Sequence, residues 1–82
     1  MPYFEFYWTD ALVEHLAEHG ISRDDFAEVM SAPERRGESR STGRPCCWGE
    51  TGDGRYLFCV YEYLDEMTIL PITAYEVQRP NP

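Results

Sequence analysis

Pro33 divides this chain into two parts with different periods, and that division constrains the fold more than any other feature. A proline lacks the N–H that a helix interior needs, so a helix running into "VMSAP" must stop after Ala32. Before it, Phe26, Val29 and Met30 recur at helical spacing. Ser22 opens that helix, with Asp25 at the capping-box position. A first helix, "DALVEHLAEHG", is capped by Thr9 or Asp10, carries an apolar stripe of Leu12, Val13, Leu16 and Ala17, and ends at Gly20 as a left-handed cap. Two short helices joined by a tight turn are expected.

On either side of the helices the period is that of strands. Residues 3–8, "YFEFYW", alternate so that Phe4, Phe6 and Trp8 share one face, as in a strand with one buried side. After Pro33, residues 35–42 are polar, which fits an exposed edge strand or a loop. "PCCWGE" (45–50) is a strand candidate, "TGDG" a turn, and "RYLFCVYEYL" an aromatic and β-branched central strand. "MTILPITAYEV" completes the set, and Pro71 within it demands a bulge or an edge position. The tail from 78 to 82 is expected to be loose. Strand, helix, helix and then three or four strands imply an α+β domain, with both helices on one face of an antiparallel sheet. A chain of 82 residues holds one such core.

Charge narrows the function. Fifteen acidic residues against seven arginines, with no lysine, leave a net charge of −8, which opposes general binding to a phosphate backbone. The exception is "ERRGESRSTGR", where Arg35, Arg36, Arg40 and Arg44 outnumber Glu34 and Glu38. Arginine forks there can hold phosphate or carboxylate, and the same stretch also fits a solvated polar strand. No apolar run approaches the roughly 20 residues of a membrane span, and "MPYFEFYW" lacks the pattern of a secretory signal. A cytoplasmic location without membrane contact is expected. Cys46 and Cys47, adjacent on a strand, point to opposite faces and cannot share one metal, and Cys59 is expected in the core. His15 and His19 lie i, i+4 on a helix, but "HLAEH" is not a zinc-peptidase motif and both fall on the polar face. Neither metal nor other cofactor is expected.

The order of elements and several short motifs resemble the BrnT-like toxins of the RelE/ParE superfamily, small ribonucleases of bacterial toxin–antitoxin pairs. "EHGIS" is similar to the family segment closing the first helix, and "VMSAP" to the end of its second. Arg44 stands five residues before Gly49, as a family arginine does before its strand glycine. "DGRYLFCVY" and "ILPITAYEV" resemble the last two family strands, with Tyr75 and Pro71 where the family carries arginines. The resemblance implies a RelE-like fold, metal-independent RNA cleavage and an antitoxin-like protein partner.

Such cleavage needs a base for the 2′-hydroxyl, an acid for the leaving oxygen and a cation for the phosphorane. Arg44 and Arg55, matching family arginines, are the candidate cations near the "TGDG" turn. Glu50 is the candidate base, and Tyr75 or Tyr61 the proton donor or stacking ring. Arg36 and Arg40 are candidate RNA- or phosphate-binding residues. The alternative is a non-catalytic relative that uses the same sheet as a protein-interaction module. Convergence of Arg36, Arg40, Arg44 and Arg55 on one concave face would favour the nuclease.

Overall fold

The computed structural model describes residues 5–40 and 42–78. Its elements in chain order are β1 (Glu5–Phe6), α1 (Asp10–Glu18), α2 (Arg23–Ser31), β2 (Arg35–Glu38), β3 (Pro45–Glu50), β4 (Tyr56–Tyr63) and β5 (Thr68–Glu76). The sheet order is β1-β5-β4-β3-β2. The last four strands pair antiparallel, as expected, whereas β1 lies parallel to β5 through Glu5↔Thr68 and Phe6↔Ile69. The helical hairpin between β1 and β2 carries the chain across one face, which makes the sheet mixed rather than purely antiparallel. The part of the first expected strand before Glu5, and the tail beyond Gln78, lie outside the described residues.

Local chemistry explains each boundary. Thr9 caps α1, its hydroxyl accepting from the Leu12 N–H at 3.2 Å. At the other end the Gly20 N–H donates to the Ala17 carbonyl and the Ile21 N–H to the Leu16 carbonyl. This Schellman closure needs Gly20 at a φ of 73°. Ser22 and Asp25 then form both bonds of a capping box, each 3.1 Å long. The turn is therefore bonded almost without gap from one helix into the next.

Leu12 and Leu16 of α1 and Phe26, Val29 and Met30 of α2 pack on Cys47, Leu57, Cys59, Tyr61, Ile69 and Ala74 of the sheet. The rings of Phe6 and Trp8 meet Phe26 edge-on at 6.2 and 5.6 Å, as the alternation of the first strand leads one to expect. Ala17 departs from expectation and is exposed. The short α1 packs chiefly along β5, so its buried stripe is narrower than the sequence pattern. At Gly49 α2 comes close to the sheet, since a Cβ there would lie 3.0 Å from Val29 Cγ1 and 3.5 Å from Pro33 Cα.

Pro71 is accommodated by the bulge. The β4–β5 register shifts between Val60 and Tyr61, with Val60 opposite Thr73 and Tyr61 opposite Pro71, so Ile72 is the extra residue. The Ile69 carbonyl accepts from Tyr7 on the β1 side. Alternation turns the Pro71 nitrogen to that same side, where β1 has ended at Phe6 and the missing N–H falls past the end of the short edge strand.

Candidate functional site

With the helices on one face, no other described element covers the opposite face of β2, β3, β4 and β5. Strand alternation sends Trp48, Phe58 and Tyr75 to that open face, where antiparallel register sets Trp48 beside Phe58 and Phe58 beside Tyr75. The ring centroids lie 4.9 and 5.3 Å apart, forming an aromatic row across three strands. Arg35, opposite Trp48 on β2, holds its guanidinium carbon 5.5 Å from the indole centroid. Gly37 makes room for that indole, because a Cβ there would stand 3.3 Å from Trp48 Cζ3.

These groups line a groove of about 510 Å³ together with Glu38, Ser39, Arg40 and Cys46. Cys46 is buried, and burial, with Cys47 and Glu38 nearby, pushes its thiol up from the ordinary value. It is therefore a neutral thiol rather than a nucleophile. Tyr75 is 40% exposed at the far wall. The groove combines planar cations, π faces and a phenol, all on strands or in the loop that leaves β2.

The site residues read from the sequence are divided rather than assembled. Arg44 and Arg55 are not neighbours at the "TGDG" turn. β3 and β4 form an antiparallel hairpin, and Arg55 precedes β4 at the turn end while Arg44 precedes β3 at the open end. The length of β3 separates them, roughly 20 Å at ~3.3 Å per residue. Arg44 Nε donates to Glu62 Oε1 at 2.9 Å across that open end. Arg55 is spoken for: Nε donates to the Asp53 carboxylate, Nη1 to the Gly20 carbonyl at 2.5 Å and Nη2 to Asp25 Oδ2 at 2.6 Å.

Glu50 ends β3 near Arg55, exposed, and is not among the groove's lining residues. Arg36 alternates with Arg35, so it occupies the helix side of the β2 edge and also stays outside the groove. Of the named set only Arg40 and Tyr75 enter it. Tyr61 lies on the opposite, helix-facing side, where burial and Tyr63 push its phenol up, and it is a core residue. Arg35, Trp48 and Phe58 were not singled out as a set, because only the β2–β3–β4 register brings them together.

The cysteines divide as the strand pattern implies. Cys46 sits under the groove, while Cys47 faces α2 with its thiol 3.5 Å from Met30 Sδ. Cys59 pairs with Cys47 in register, and their hydrogen bond together with burial pushes the Cys59 thiol up. His15 on α1 and His19 at its C-cap are exposed with ring centroids 5.0 Å apart, and His15 Nε2 lies 3.1 Å from Thr73 Oγ1. Among the described residues no helix is long and apolar enough to cross a membrane.

Comparison with known protein families, with curated proteins and with solved structures finds no match to this chain. What is defined is an α+β domain with one covered and one open sheet face.

Proposed function

We propose that this chain is a toxin-type domain related to the BrnT-like branch of the RelE/ParE superfamily. It acts in the cytoplasm on single-stranded RNA held in the open-face groove, and an antitoxin-like protein restrains it. The observation that carries this reading is the groove, where Arg35 and Arg40 share one lining with Trp48, Phe58 and Tyr75. Aromatic faces stack bases whatever their sequence, and arginine forks hold phosphates, so this composition suits a single strand. Arg35 and Arg40 are the cations for the phosphorane in this reading, and Tyr75 is the proton donor or stacking ring. Arg55 takes no part in the chemistry, since its guanidinium already serves a carbonyl and two carboxylates.

The division of Arg44 from Arg55 favours a second reading, a non-catalytic relative whose open face binds a protein. Induced expression in a bacterial host separates the two. The nuclease reading expects growth arrest and new RNA ends, both lost when Arg35→Ala is combined with Arg40→Ala and both kept in Arg44→Ala. Normal growth with intact RNA, at good yield of folded protein, would contradict cleavage and leave the binding module.

A further inference from the structure

Among the described residues the outer strand β2 has nothing paired along its far side, and all of its residues, Arg35 to Glu38, are exposed. An open edge is a template for another strand, and the sequence around it determines which strand fits. The Ser39 N–H donates inward to the Arg44 carbonyl at 2.8 Å. By alternation Arg35, Gly37 and Ser39 direct their backbone groups to β3, and Arg36 and Glu38 direct theirs outward. The outward residues are thus one cation and one anion, placed symmetrically about Gly37.

The pattern is self-complementary. In "ERRGESR", residues 34 to 40, Glu34 and Arg40 are mirror positions about Gly37, as are Arg36 and Glu38. We propose that two copies of this chain pair antiparallel through their β2 edges, about a two-fold axis at Gly37, to form one continuous sheet. In that register Arg36 stands opposite Glu38 of the second copy and exchanges both N–H···O bonds with it. Glu34 lies outside that ladder, because its N–H donates inward to the Trp48 carbonyl at 2.8 Å.

Neighbouring registers fail. A slip of one residue in the pairing puts opposed side chains on different faces. The register centred on Arg36 opposes Arg36 to itself. The one centred on Glu38 opposes Glu38 to itself and Arg36 to Arg40. Like charges opposite one another are destabilising, so charge selects the Gly37 register. The whole chain carries −8, yet residues 35–44 hold four arginines against Glu38 alone, which makes this the edge where two acidic copies can approach.

The test is sedimentation equilibrium of the full chain over a concentration series, with circular dichroism to show that each variant is folded. The wild type is expected to dimerise. Arg36→Glu and Glu38→Arg each oppose like charges, and each is expected to weaken the dimer by ~10-fold or more, because the change occurs twice across the axis. An equimolar mixture of the two variants restores opposite charges at both pairs, so it is expected to associate as the wild type does. The double variant carrying both changes in one chain is expected to recover as well. A wild type that stays monomeric, single variants that associate as well as the wild type, or a mixture no better than its components would overturn the proposal.

Discussion

Arg55 Nη2 and Asp25 Oδ2 lie 2.6 Å apart, joining the β3–β4 turn to the capping box of α2. The same carboxylate oxygen accepts the Ser22 N–H, while Arg55 Nη1 reaches the Gly20 carbonyl at the end of α1. Glu28 adds a parallel tie by accepting the Gly52 N–H at 2.7 Å. Hairpin turn and helical turn are therefore one bonded unit, and an arginine with the sequence context of a catalytic cation is a structural brace.

Arg55→Ala is expected to cost about 2 kcal/mol of unfolding free energy, the range for partly buried, charge-assisted hydrogen bonds. Arg55→Lys should recover only part of it, since a point ammonium cannot reproduce the three-way fork. Urea denaturation of the two variants checks this. An unchanged midpoint for Arg55→Ala would show that the brace carries no stability.

Acid should weaken the same joint. Partial burial works to raise the Asp25 carboxyl, but the bonds from Ser22 and Arg55 outweigh it and hold the group below its ordinary value. A depressed folded-state value gives stability that is present above the unfolded value of about 3.9 and is lost as pH falls through the folded one. Unfolding free energy is thus expected to fall with acidification below about pH 4, with a shallower slope in Asp25→Asn. Equal slopes in thermal melts across that window would exclude Asp25 as a contributor.

Gly49→Ala sets two effects against each other. Fewer unfolded conformations would stabilise by about 0.4–1 kcal/mol. The new methyl, however, would meet Val29 at 3.0 Å and the backbone at Pro33 behind it. Overpacking costs about 1–3 kcal/mol, so a net loss near 1 kcal/mol is expected. A rise in melting temperature would mean that α2 can lift from the sheet.

The three thiols are buried, with Cys46 and Cys59 pushed toward the neutral form and Cys47 held below its ordinary value by its hydrogen bond with Cys59, so burial is what shields it. Their reaction with a disulfide reagent at neutral pH is expected to await unfolding. Fast labelling of the native protein would place at least one thiolate at the surface.

Most of the scaffold was legible in the sequence because its signals are local. Pro33, the Ser22–Asp25 box and Gly20 each act within a few residues, and strands β3, β4 and β5 lie within the segments their composition marks. Pro71 indicated its own bulge. The site was less legible, because it depends on register and on hairpin polarity. "RPCCWGETGDGR" places Arg44 and Arg55 close along the chain, yet the hairpin turns between them and puts them at opposite ends. Likewise Arg35 and Arg36 are adjacent in sequence, and only pairing with Trp48 and Cys47 shows which one reaches the open face. The parallel seat of β1 beside β5 depended on the longest sequence separation in the sheet, which no local pattern encodes.

The central claim is that the open-face groove holds single-stranded RNA, and the most direct test is a titration of the purified chain with a short fluorescent RNA strand. Saturable binding is expected. It should weaken at least ~10-fold in Tyr75→Ala combined with Arg40→Ala, given about 1–3 kcal/mol for one base stack. Rising salt should also reduce it. Absence of binding by the folded wild type, or equal binding by the groove variant, would contradict the account.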